Sequence, residues 1–138
     1  MASLIYNSAV DDVARGAIDF DTDTFKAMLV TSSYIPNKDT DDKRNDIAHE
    51  ITGTGYTAGG VTLACTVAKD TGNDRVTLTF AAHSWTTSTI TARGEVIYKS
   101  RGGSSSADEL VYYNDFGADV STTGGTFSVA SSVITLQN

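Results

Sequence analysis

The chain has 138 residues, 40% of them hydrophobic and 20% charged, which is the balance of one globular domain rather than of a disordered segment. Twenty Thr, 14 Ser and 12 Gly stand against a single Pro, a composition of strands and turns that excludes an all-helical bundle. The formal net charge is −7, with 14 Asp and only three Glu, and the ten Lys and Arg are scattered; a phosphate backbone would be repelled, so no nucleic-acid partner is expected.

The first residues, Met1 to Tyr6, lack the basic and apolar regions of a signal peptide, and no apolar run reaches the ~20 residues a membrane helix needs. A soluble product of a cytoplasm, without a membrane partner, is the expectation. The lone Cys65 excludes a disulfide framework and, alternating with Leu63 and Val67, reads as a buried structural thiol.

In chain order, Val10, Val13 and Ala14 at helical spacing, with Gly16 as a stop, predict a short helix over Asn7–Arg15. Ile18 and Phe20 then alternate with Asp19, Asp21 and Asp23, which predicts an extended segment with one solvated acidic face. Phe25 to Thr31 predicts a strand covered on both faces. Pro36 to Asp46 is dense in charge, has no apolar side chain from Asn37 to Asn45, and reads as a loop with one helical turn before Ile47.

Four glycines around Tyr56-Thr57-Ala58 predict a chain reversal through positive φ angles. Val61 to Val67 and Val76 to Phe80 alternate on either side of the turn Asp70–Asp74, forming the clearest hairpin. Its expected core is Leu63, Cys65, Val67, Val76, Leu78 and Phe80. Further strands are expected over Thr89–Ser100, Leu110–Phe116 and Thr126–Leu136, the last with a bulge at Ser131-Ser132. No crossover helix separates them, so the expected fold is all-β: about eight antiparallel strands in one two-sheet, jelly-roll-like sandwich with one or two short helices. An immunoglobulin-like sandwich competes, without the paired cysteines it usually carries.

The chemistry-bearing patterns are weak. Asp19-x-Asp21-x-Asp23 opens like a calcium loop, but Thr24 and Val30 stand where Gly and Glu are needed. Gly53-x-Gly55-x-x-Ala58 precedes a strand, not the helix of a dinucleotide site. His49 and His83 have no second ligand at helical spacing, and Glu50, Glu95 and Glu109 offer only the carboxylate pairs that any acidic β-protein offers. No enzyme, metal or cofactor is expected. Trp85, between two strands, reads either as a core-capping aromatic or as an exposed platform for a sugar or partner.

Three stretches carry a resemblance. Ala17-Ile18-Asp19-Phe20-Asp21-Thr22-Asp23-Thr24-Phe25-Lys26-Ala27-Met28-Leu29-Val30-Thr31-Ser32, Glu50-Ile51-Thr52-Gly53-Thr54-Gly55-Tyr56-Thr57-Ala58-Gly59-Gly60 and Ala92-Arg93-Gly94-Glu95-Val96-Ile97-Tyr98-Lys99-Ser100 resemble the small capsid cement, or decoration, proteins of tailed bacteriophages. The resemblance implies a jelly-roll-like fold, homodimers, and a place on the outer capsid surface at junctions of the major capsid protein. Candidate contacts are the N-terminal Leu4, Ile5 and Tyr6, the loop residues Asp39, Asp41, Asp42, Lys43 and Arg44, and Arg101 of the Arg101–Ser106 loop; each equally reads as an ordinary tethered terminus or solvated loop. A carbohydrate-binding or fibre module is the alternative, because jelly rolls also serve lectins. A glycan hydrolase is the third reading.

Overall fold

Alternation of apolar and hydroxyl side chains makes this chain a stack of antiparallel strands, and the computed structural model, which describes residues 2–138, contains ten of them with one α-helix. They are β1 (Leu4–Ile5), β2 (Phe25–Val30), β3 (Val61–Leu63), β4 (Cys65–Asp70), β5 (Arg75–Phe80), β6 (His83–Ser88), β7 (Thr91–Lys99), β8 (Leu110–Ser121), β9 (Gly125–Val129) and β10 (Ser132–Gln137); the helix α1 is Asn7–Ala14. Single 3-10 turns at Arg44–Asp46 and Ser105–Ala107 punctuate the two polar loops.

One layer is a five-stranded sheet in the order β1-β8-β7-β2-β3. The other is built from two smaller sheets in series, β10-β5-β4 and β6-β9. The registers explain the series. Arg75 pairs with Gln137 and Phe80 with Ser132, then His83 with Val129, then Thr91 with Ser121 and Tyr98 with Leu110. β5-β6-β7 and β8-β9-β10 are thus the two sides of one long antiparallel ribbon, folded over so that its two halves pack as the layers of a sandwich.

The core has two storeys. Phe25, Ala27 and Leu29 on one face of β2 point between the layers, the first two toward Leu78, Phe80 and Ile134, and Leu29 toward Trp85, Phe127 and Val129. Met28 and Val30 point the other way, with Val96, Tyr98 and Tyr113, and are covered by Tyr6, Ala9 and Tyr34. The central strand is therefore covered on both faces, as its unrelieved apolar sequence predicts.

Several local expectations need correction. The Asp19–Asp23 segment is a turn, not a strand: Asp19 N–H donates to Asp23 Oδ2 at 2.7 Å and Asp21 N–H to Asp19 Oδ1 at 2.9 Å. The helix buries Ala9, while Val10 is 64% exposed. Val61 to Val67 is not one strand, since the chain passes from one layer to the other at Ala64. Val67, opposite Leu78 on the inner face, is 39% exposed because β4 is the outer strand of its sheet, and Cys65 and Val76 are only half-buried, whereas Leu63, Leu78 and Phe80 are core. The irregularity at Ser131-Ser132 is a change of sheet rather than a bulge, and His83 to Ser88 is a strand rather than a connection.

Candidate docking surface

The residues named from sequence fall in three environments. Tyr6 is fully buried, its hydroxyl 2.8 Å from that of Tyr34, which donates to Asp41 Oδ2 at 2.7 Å; burial raises both phenol pKa values. Asp41 also accepts from the Asn37 N–H at 3.0 Å, so this carboxylate organises its own loop. Arg44 pairs with buried Asp108 at 2.8 Å and lies over the Tyr98 ring, 5.1 Å from its centroid. Arg101 forks onto Glu109, and that ion pair holds the Glu109 carboxyl below its usual range despite burial.

Lys43 lies between Asp42 at 3.3 Å and Asp12 at 3.8 Å, and Asp39 accepts from Asn7 Nδ2 at 2.6 Å. Leu4 and Ile5 form the edge strand β1, with Ile5 39% exposed. The structure brings the Asp39–Arg44 loop against α1 and brings Arg44 and Arg101 together around Asp108, but it engages both guanidinium groups internally. Among these residues Ile5, Asp39, Asp42 and, despite its ion pair, Arg101 remain exposed.

The glycine-rich crossing is a strap rather than a ligand loop. Glu50 Oε1 accepts from Tyr56 Oη at 2.7 Å and from the Gly59 N–H at 2.6 Å, and Tyr98 Oη donates to the Gly59 carbonyl at 2.6 Å. Gly60, at φ 77°, passes so close to β2 that a Cβ would lie 1.7 Å from the Ala27 carbonyl oxygen.

Trp85 is buried, 4% exposed, against Phe127 and His83, which removes the exposed-platform reading. Cys65 is half-buried, and burial pushes its thiol up to about 11, far from a reactive thiolate. Among the described residues no group of three or more His, Cys, Asp or Glu is gathered to hold a metal ion, and no helix is long and apolar enough to cross a membrane.

What sequence reasoning missed is a surface where the two layers stand open. An apolar groove of about 90 Å³ has Leu78, Val111 and Ile134 as its floor. Its walls are Ile5 from β1, Val10 and Val13 from α1, Phe20, and Leu136 from β10. It runs on, past Val13 and Leu136, into a shallower cleft bordered by Val67, Val76, Asp19 and Asp21. Neither stretch is lined by Lys or Arg. β1 and β10 are the outer strands of their sheets, so alternate backbone N–H and C=O groups of β10 point away from β5. No charged side chain occurs on β10. Natural edges are usually guarded by charge or proline, and an edge without either marks a place where another chain can add. The signal was present in the exposed apolar residues at Val10 and Leu136, but only the fold joins them.

A second surface, on the outer face of the small sheet, has two uncharged ranks beside a third that holds the Asp70–Arg75 ion pair and Gln137. Thr66, Thr79 and Val133 lie in one rank and Ala68, Thr77 and Thr135 in the next, with Val133 57% exposed.

Compared with known proteins, the chain matches no family model, no curated protein and no solved structure.

Proposed function

We propose that this chain is a capsid cement protein of a tailed-bacteriophage particle, a homodimer that binds the outer surface of the major capsid protein lattice and stabilises it without catalysing a reaction. The observation that carries the reading is the resemblance of residues 17–32, 50–60 and 92–100 to that family. These stretches supply β2, the Glu50–Gly60 strap and β7, the centre of the five-stranded sheet. The likeness is thus mainly one of scaffold; of its residues, Ile18 to Asp21 reach the groove and its continuation.

A binding role is supported by two surfaces on one small domain, the apolar groove between the open edges and the Thr-rich outer face, whose one charged rank is the Asp70–Arg75 ion pair of no net charge. The second suits a copy of the same chain, because it adds no net charge to an interface between two molecules each of net charge −7. A domain this size offers each neighbour only a modest patch, so attachment rests on several weak contacts made at once. The carbohydrate-binding alternative needs an exposed aromatic platform, and Trp85 is not one.

The test is the copy number in purified virions. Several hundred copies, removable by mild chaotrope without loss of the shell, are expected of a cement protein. A few copies, or none, would contradict the reading.

A further inference from the structure

Resting on the binding role above, we infer that the groove between β1 and β10 receives an extended segment of a partner protein, apolar at alternate positions and flanked by Lys or Arg, which adds as a strand to the free edge of β10.

Three observations carry this. The groove is wholly apolar inside, with Ile5, Val10, Val13 and Leu136 at its mouth, so it takes apolar side chains. Its continuation is rimmed by Asp19 and Asp21 with no cation among the lining residues, so basic flanks complement it. Of the cations around it, Arg15 is engaged by Asp11 at 2.7 Å, Lys99 by Asp23 at 2.9 Å and Arg75 by Asp70 at 3.0 Å, and Lys69 lines the adjoining cleft beyond Val76 and Leu136. The strand alongside, β10, is paired on one side only, so the backbone groups of alternate residues between Ser132 and Gln137 point outward, and it has no charged side chain. An extended peptide satisfies those groups, while alternate side chains enter the groove; a helix satisfies none of them.

A second copy is the poorer occupant. It would bring another −7 against a rim that is already acidic, and like-charge juxtaposition opposes association. In strand addition the main chain supplies affinity and the pockets supply selectivity, so a generic peptide of the right pattern suffices as a probe.

The experiment titrates the full-length protein with a short synthetic peptide of alternating Val and Thr carrying paired Lys at both ends, followed by fluorescence anisotropy and amide NMR shifts. A peptide with the same centre and Asp at both ends is the control, and Val10→Lys is the variant. Val10 is 64% exposed, so an unchanged melting temperature verifies that the variant folds. Saturable binding is expected, with shifts concentrated on Ser132–Gln137 and α1, and with affinity about tenfold weaker for the Asp-flanked peptide and for Val10→Lys. Absence of binding, equal binding of the two peptides, or binding undiminished in Val10→Lys overturns the inference. So does a peptide-free dimer whose interface protects the β10 amides. Retention on capsid shells separates this from the broader reading: shells that hold the wild type while the peptide fails remove the groove proposal alone, and shells that do not hold the wild type remove the cement role.

Discussion

His83 on β6 and Glu95 on β7 form a buried ion pair across the two layers, with Nε2 2.7 Å from Oε2. Glu95 is fully buried, and its other oxygen accepts from Asn114 Nδ2 at 3.1 Å. The second imidazole nitrogen, Nδ1, faces the Ala81 carbonyl at 2.9 Å. Both ring nitrogens therefore face acceptors, which is the environment of a doubly protonated ring. Burial pulls the His83 pKa down, but the hydrogen bond and charge of Glu95 outweigh it, and the net direction is upward.

A raised histidine pKa means the folded state holds a proton that the unfolded state releases. The stabilisation is complete below the unfolded value, about 6.5, and is lost as pH rises through the folded value. Urea unfolding between pH 6 and 8 is expected to show stability falling with pH in the wild type, and a flatter profile in His83→Gln. The window stops there because the Cys65 thiol, protonated in the folded state, adds a fall of the same sign above about pH 8.5. Equal slopes in wild type and variant would contradict a charged His83.

The hairpin offers a paired test of register. Leu78 is 2% exposed and Val67, its partner across the β4–β5 pairing, is 39% exposed. Leu78→Ala is expected to cost about 2–5 kcal/mol in unfolding free energy, and Val67→Ala less than about 1 kcal/mol. Similar losses at both positions would mean that Val67 is covered and β4 is not an open edge.

How far the fold could be read in the sequence follows from residues such as these. The β4–β5 hairpin was legible because Val76, Leu78 and Phe80 alternate strictly and Asp70–Asp74 announces a turn. The change of layer at Ala64 was not legible, because alternation continues unbroken through it; Val67 keeps the inner face that alternation assigns, opposite Leu78, and is exposed because β4 is an edge strand. A period of two holds on both sides of such a switch, so only pairing partners locate it. β6 was missed because His83-Ser84-Trp85-Thr86-Thr87-Ser88 has one large apolar residue, and its strand character comes from pairing with β9. The Asp19–Asp23 turn was missed because its carboxylates bond to neighbouring backbone N–H groups, a competition that alternation does not reveal. At the surface, the sequence offers Ile5, Asp39 and Asp42 on the same footing as Tyr6, Arg44 and Arg101, because the partners Tyr34, Asp108 and Glu109 that engage the latter are distant in sequence or indistinguishable from other acids.

Gly60 is expected to be irreplaceable for the strap. A Cβ there would meet the Ala27 carbonyl at 1.7 Å, and φ of 77° disfavours any other residue. Gly60→Ala should lower stability by at least about 2 kcal/mol. Gly102→Ala is the control, at φ 79° but with nothing within 4 Å, and should cost only the backbone strain. Equal losses would show that crowding against β2 contributes nothing.

The Asp19–Asp23 turn is held by its own backbone and by Lys99, whose Nζ is 2.9 Å from Asp23 Oδ2. Chelator treatment, or added calcium, is expected to leave the melting temperature unchanged at fixed ionic strength. A drop on chelation that calcium reverses would assign the turn to a metal.

The proposed role as a capsid cement protein is tested most directly by heating shells stripped of the protein beside shells to which it has been returned, and reading the temperature of genome release. The account expects the replete shells to survive to a higher temperature, and isolated capsid subunits to bind the protein poorly, because attachment depends on several weak contacts made together. Equal release temperatures, with tight binding of the isolated protein to a free glycan, would contradict it.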